Sequence, residues 1–138
     1  MRLRQATSKD APHILLLEEE GMRRHAEALW GGWVPSSTPE LLPLDGHEMI
    51  EYSGEPVGCV ACDWHADHLR IRKLYVAEEY RRRGIGARVL AIKFRQAAVR
   101  GLTLRLTVLS TNNDARRFYE REGMSVVDRT QERITLEF

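Results

Sequence analysis

Apolar positions recur at two different periods along this chain, and the switches between them mark its elements. Leu69, Ile71 and Lys73 alternate with Arg70 and Arg72, and Leu74, Tyr75 and Val76 follow, which predicts a central strand from Leu69 to Val76. From Gly84 to Arg100 the spacing changes. Ala87, Leu90, Ala91, Phe94, Ala97 and Ala98 fall three and four residues apart, the signature of a helix with those residues on its core side. Upstream, Met1 to Ala6 reads as a short strand. Thr7-Ser8-Lys9-Asp10 then opens a helix, with a hydroxyl cap, an acid three residues on and Pro12 in the first turn. That helix runs to about Leu29. Glu18 to Glu20 and Arg23-Arg24 give it a charged face on which Glu19–Arg23 and Glu20–Arg24 can pair. Trp30-Gly31-Gly32-Trp33 ends it and begins an aromatic loop through Pro39, with a short second helix expected from Pro39 to Leu44.

His47 to Tyr52 and Val57 to Asp63 read as strands joined by a turn at Ser53-Gly54-Glu55-Pro56. With the central strand, reached through Trp64 to His68, they form an antiparallel meander. Beyond the central helix follow a strand Leu102 to Leu109, a helix Asn113 to Glu122, and strands Ser125 to Thr130 and Ile134 to Phe138. The order β-α-α-β-β-β-α-β-α-β-β is that of an α/β (α+β) domain.

The 138 residues are expected to form one domain, 1–138, without linkers, repeats or low-complexity tracts. The formal net charge of +1 conceals an asymmetry. Residues 70–105 carry eleven Lys/Arg and two Asp/Glu, whereas residues 1–69 carry five and twelve. A basic middle beside an acidic first half fits an anionic ligand at the centre and a cationic one on the N-terminal side. The charged start Met1-Arg2-Leu3-Arg4 lacks an apolar run behind it, so no signal peptide is expected, and no stretch has transmembrane length. Two cysteines do not make a disulfide framework, and a cytoplasmic location is the expectation. Cys59-x-x-Cys62-x-x-His65-x-x-His68 has residue types that suit zinc, but all four fall within a span too short for paired zinc ligands, so no metal is expected.

Between the central strand and its helix lies Arg81-Arg82-Arg83-Gly84-Ile85-Gly86. The first N–H groups of a helix lack intrahelical partners and carry the positive end of its dipole. Two glycines let the chain turn tightly and let a ligand reach main-chain amides. Three arginines add fixed positive charge. The junction is therefore an anion cradle suited to phosphate. A dinucleotide fingerprint would want a small residue at Val89 and an acid about 20 residues on, and a P-loop would want Gly-Lys-Ser or Gly-Lys-Thr; none is present.

Arg81-x-x-Gly84-x-Gly86, following Leu74-Tyr75-Val76 and opening a helix, resembles the acetyl-CoA site of the GNAT family of N-acetyltransferases. A second stretch strengthens the resemblance. Asn112, Ala115, Tyr119 and Gly123 match the family's Asn, Ala, Tyr and Gly-Phe pattern, with Met124 in place of Phe. Asn112 also suits a helix cap, Phe118 a core position, and Tyr119 a cleft that buries its ring and leaves its hydroxyl free. The resemblance covers the whole chain and implies a mixed sheet of about six to seven strands flanked by about four helices.

It further implies direct acetyl transfer from acetyl-CoA to a primary amine of a small molecule or peptide, without a covalent enzyme intermediate. Leu74, Tyr75 and Val76 would pair with the pantetheine arm through their main chain, and the Val76 N–H would polarise the thioester carbonyl. The amides of Arg82, Arg83, Gly84, Ile85, Gly86 and Ala87, with Arg81, would hold the pyrophosphate. Asn112 would contact the cofactor and Tyr119 would protonate the departing sulfur. Cys59 and Cys62 leave an opening for a thiol route. The general base stays open among Glu78 and Glu79, just past the central strand, and Glu20, His25, Glu27, Glu48 and His65, with loss of the amine proton to water as a further alternative. The first helix and its loop would cover the acceptor, so Glu20, His25, Trp30 and Trp33 are the pocket candidates. Expected partners are acetyl-CoA and an amine, with room for a homodimer and none for nucleic acid or membrane. The alternatives are a non-catalytic acyl-CoA-binding module of the same fold and another nucleotide-phosphate binder.

Overall fold

The computed structural model describes residues 1–138. Strand β1 (Arg2–Gln5) leads through a 3-10 turn at Ser8–Asp10 into helix α1 (Ala11–Trp30). The meander β2 (His47–Tyr52), β3 (Glu55–Trp64) and β4 (His68–Val76) follows. A second 3-10 turn, Glu78–Tyr80, precedes α2 (Ile85–Val99). The chain closes with β5 (Thr103–Leu109), α3 (Asn113–Arg121), β6 (Ser125–Arg129) and β7 (Arg133–Glu137). The seven strands form one sheet in the order β1-β2-β3-β4-β5-β7-β6, parallel only between β4 and β5. No helix is long and apolar enough to cross a membrane.

The α1 start follows from its sequence. The Asp10 carboxylate accepts from the Thr7 N–H at 2.8 Å, closing the cap, and Arg4 of β1 donates to the same carboxylate at 2.8 and 3.0 Å. That ion pair ties the helix to the sheet edge and holds the Asp10 carboxyl at about 2. The helix stops at Gly31, whose left-handed φ of 80° suits glycine.

Two expectations change. Residues 39–44 form a turn rather than a helix, with the Leu41 N–H on the Thr38 carbonyl at 3.1 Å. Pro43 keeps Leu42 out of helical backbone geometry, and Leu42 instead drops into the core beneath α1. The sheet is thus flanked by three α-helices. Helix α2 is also rotated from its expected face. Ile85, Val89, Leu90, Lys93 and Ala97 point inward, whereas Ala91, Phe94 and Ala98 are exposed. The cause is Lys93, whose ammonium is buried against the Glu48 carboxylate of β2 and lies 3.3 Å from the Gln96 side-chain oxygen. Hydropathy assigns a lysine to the outside; an ion pair under the helix brings this one in.

Two cores result. The larger lies between the sheet and α2 and α3, around Leu69, Ile71, Val89, Leu90, Leu104 and Leu136. The smaller lies under α1, where Ile14 and Leu17 meet Met49, Cys59 and Leu42. Cys59 and Cys62 fall on opposite faces, as their spacing requires.

One irregularity positions everything that follows. Ala61 pairs with Lys73 and Cys62 with Ile71, so Arg72 is an extra residue on β4, a β-bulge. The bulge reverses the alternation of β4. Leu69 and Ile71 face the larger core, and beyond Arg72 that face is taken by Leu74 and Val76, leaving Lys73 and Tyr75 toward α1. It also coincides with the end of the β4–β5 ladder, which pairs only His68 to Ile71 with Thr103 to Leu106. Beyond that point β5 continues with β7, and Arg72 to Val76 keep a strand neighbour on the β3 side alone.

Candidate active site

The splay between β4 and β5 leaves the main chain of Leu74, Tyr75 and Val76 with an open edge, and all three residues are half-buried. An extended arm lying in the gap meets a row of unpaired strand groups. The same strand runs directly into the basic junction. The Ala77 N–H bonds the Val57 carbonyl at 2.8 Å, and the Arg81 Nε–H donates to the Val76 carbonyl at 2.8 Å. Arg81 is therefore a brace across the end of β4 as well as a charge. Arg82 (φ 64°) and Gly84 (φ 77°) are both left-handed, and this alternation turns successive N–H groups to one side, a main-chain anion nest. The first α2 bond runs from the Arg88 N–H to the Gly84 carbonyl at 3.1 Å, so the amides of Ile85, Gly86 and Ala87 lie ahead of the helical ladder. Ile85 anchors this turn in the core with its side chain 1% exposed. Arg83 lies over the Tyr80 ring at 5.0 Å. Gly86 faces Phe118 of α3, where a Cβ would make an ordinary contact at 3.4 Å.

Helix α3 brings the second motif to the same gap. The Asn112 side-chain oxygen accepts from the Ala115 N–H at 3.2 Å, so Asn112 caps α3 through its oxygen. Tyr119 is buried, more so than Phe118, which packs against the core margin. Burial pushes the Tyr119 phenol well above its ordinary range, so it stays protonated through neutral pH.

Helix α1 lies over the opposite face of the opened strand, and contacts are strung along it. Glu18 meets the Lys73 ammonium at 3.3 Å and accepts from the Ser36 hydroxyl at 2.9 Å. Gly21 packs on Tyr75 so closely that a Cβ would fall 2.7 Å from the ring. One turn on, the His25 carbonyl accepts from the Thr111 hydroxyl at 2.8 Å, beside the α3 cap. At the helix end the Trp30 indole N–H donates to Glu132 of the β6–β7 turn, and Arg133 lies 5.5 Å over the Trp30 ring. Between α1 and the loop lies a cleft of about 380 Å³ lined by Glu18, Trp33, Ser36 and neighbouring prolines.

The candidate bases separate clearly. Glu20 is exposed and turned from the sheet. Glu27 lies 3.6 Å from Arg23, Glu48 is committed to Lys93 beneath α2, and His65 stacks on His68 at the β3–β4 hairpin. Glu78 and Glu79 are exposed in their 3-10 turn. His25 is half-buried at the splay, with Arg24, Asp114 and Arg81 around it. Burial first, then Arg24, lowers its pKa, keeping the imidazole neutral. The thiol route is corrected by burial, which pushes Cys59 up to about 12 and Cys62 up to about 11; thiols so rarely ionised are poor nucleophiles.

Sequence reasoning missed Glu18, Lys73, Gly21 and His47. Glu18 and His47 are 8% and 2% exposed, and the His47 Nδ1 lies 3.1 Å from the Asp45 carbonyl. A glycine amid a periodic helix was the one available signal, since it costs about 1 kcal/mol there without a packing reason.

Comparison with known proteins agrees with this geometry. The acetyltransferase (GNAT) family model matches residues 6–124. The chain is 34% identical over 105 residues to a probable N-acetyltransferase of Mycobacterium tuberculosis, covering 71% of this chain and 58% of that protein. It is 38% identical over 88 residues to an uncharacterized N-acetyltransferase of Archaeoglobus fulgidus, covering 58% and 60%. The matches thus span less than two thirds of the length of these relatives. Among solved structures, a PaiA N-acetyltransferase of Thermoplasma acidophilum in complex with coenzyme A superposes with a TM-score of 0.76 at 18% identity, over 99% of this chain and 96% of that one. The chain belongs to the GNAT acetyltransferase family.

Proposed function

We propose that this chain transfers an acetyl group from acetyl-CoA to a primary amine, both bound at once, with no acetyl-enzyme. The observation that carries the reading is the succession of β4 and α2: an open strand edge from Arg72 to Val76 leads, through one short 3-10 turn, to a glycine-rich helix N-terminus. Coenzyme A has that same order of parts, an amide-bearing arm followed by a pyrophosphate. The related fold crystallised with coenzyme A supports the match.

Each residue then has a task. The edge of Leu74 to Val76 aligns the arm, with the Val76 N–H toward the thioester carbonyl, where an amide dipole stabilises developing negative charge. The amides of Arg82 to Ala87 receive the pyrophosphate, and Arg81 keeps the end of β4 in register with them. The Asn112 amide nitrogen faces the cofactor. Tyr119, held protonated by burial, supplies the proton for the leaving sulfur. Helix α1, with Trp30 and Trp33, walls the acceptor side.

Calorimetric titration with acetyl-CoA, with NADH as control, tests the reading. Micromolar binding of acetyl-CoA alone is expected; absence of binding by acetyl-CoA, free CoA and a longer acyl-CoA would end it. Tyr119→Phe then separates an enzyme from a binding module. Turnover should fall at least tenfold with acetyl-CoA affinity kept, and unchanged turnover would remove Tyr119 as the acid.

A further inference from the structure

We infer that His25 of α1 is the general base, so that the proton acceptor comes from the helix across the splay and not from the central strand. The inference rests on the acetyl-transfer reading above. An amine at neutral pH is an ammonium and has no lone pair to attack with, so some group near the thioester must take its proton. The central strand cannot supply one. Its side chains beyond Leu69 are Arg70, Ile71, Arg72, Lys73, Leu74, Tyr75 and Val76, with no carboxylate or imidazole among them. Lys73 is moreover paired with Glu18 at 3.3 Å, so that the carboxylate of α1 nearest the strand is engaged as its counter-ion.

His25 lies at the mouth of the gap. Its main chain is fastened to Thr111, next to Asn112, and Arg81, whose guanidinium braces the Val76 carbonyl, is among the charges that act on its ring. The groups facing the imidazole are Arg24 on its own helix, Asp114 of α3, Arg81 of the segment before α2, and the Thr111 main chain. Two of these are cations and the ring is half-buried, so the neutral form is the resting one. A hydrogen bond to the Thr111 main chain orients the ring and no side chain bonds it, whereas His65 and His68 are held by Asp63 and Asp67. Gly21 lies one turn before it on the same helix face and seats α1 against Tyr75, which brings His25 down onto the gap.

The step balances as follows. The acceptor ammonium gives one proton to a ring nitrogen of His25. The freed lone pair forms the N–C bond while the C–S bond breaks and its electron pair leaves on sulfur. The Tyr119 hydroxyl protonates that sulfur, and the surplus proton of the new amide nitrogen returns to Tyr119 through water. The imidazolium then releases its proton to solvent. The products are the N-acetyl amine, the CoA thiol and one proton.

The test uses His25→Gln, which suits a helix, and His25→Ala, with an amine that the wild-type protein acetylates. Nuclear magnetic resonance gives the midpoint of the His25 ring in the wild-type protein, expected below the ordinary histidine value. The acid limb of kcat/KM should share that midpoint. His25→Gln should lose the limb and at least 100-fold in kcat at neutral pH while keeping acetyl-CoA affinity within threefold by calorimetry. Added imidazole should restore part of the rate to His25→Ala, which a structural role would not allow. Retention of both rate and limb in His25→Gln, with acetyl-CoA still bound, would overturn the assignment of His25 alone. Failure of the wild-type protein to bind acetyl-CoA would overturn the transferase reading and this inference with it.

Discussion

The two sides of the splayed strand are built in different ways. The side from β4 to the start of α2 is made of main chain from one continuous stretch, Leu74 to Ala87, with glycines and left-handed residues setting the amides. The α1 side is made of side chains from five separate places: Glu18 to Trp30, Trp33 and Ser36, Lys73 with Tyr75, Thr111, and Glu132. Backbone amides recognise a ligand part that does not vary, and local sequence suffices to shape them. Side chains gathered from distant elements adapt to ligands that do vary, and no local pattern announces them. The comparison predicts that changes on one side leave the other side's ligand untouched.

The largest effect is expected from Gly86→Glu, which sets a carboxylate at the anion nest beside Phe118. Acetyl-CoA affinity should fall at least 100-fold, about 2.7 kcal/mol, in a calorimetric titration, with the fold intact by circular dichroism. Affinity within threefold of the wild type would mean that the helix N-terminus does not hold the pyrophosphate.

On the other side, Glu18→Ala leaves the nearly buried Lys73 ammonium without its partner. The expected cost is about 3 kcal/mol in urea unfolding, with acetyl-CoA affinity unchanged. A loss below about 0.5 kcal/mol would place the pair among solvated surface bridges.

Gly21→Ala sharpens the contrast further. Helix propensity favours alanine by about 1 kcal/mol, and overpacking against the Tyr75 ring costs about 1–3 kcal/mol, so a small net loss is expected. The amine KM should rise several-fold while the acetyl-CoA Kd holds. A rise in both would show that the two sides move together.

The smallest effect lies outside both sides, at the anchor of α1. The folded Asp10 carboxyl, at about 2 through its bonds to Arg4, lies below its ordinary 3.8. Its stabilisation is therefore complete above about pH 4 and is lost as pH falls toward 2. An acid unfolding curve of Asp10→Asn should be flatter over that window than that of the wild type, and superimposable curves would remove the role.

Much of this molecule was legible in its residues. Arg81, Gly84 and Gly86 announced an anion nest because helix N-termini and left-handed glycines act through bonds to near neighbours. Asn112 announced a cap for the same reason. The strand order, and membership of the GNAT family carried by the two motifs, followed from patterns a few residues long. The break in alternation after Arg72 was visible, but it became a bulge only when β3 supplied the register and β5 turned away to β7. Only the tertiary structure buried Lys93 against Glu48 and paired Glu18 with Lys73. Each depends on a partner tens of residues distant, and the energy of a buried charge is set by that partner and by the water excluded around it. Periodicity records which face a residue would take by itself; packing decides which face it takes in company.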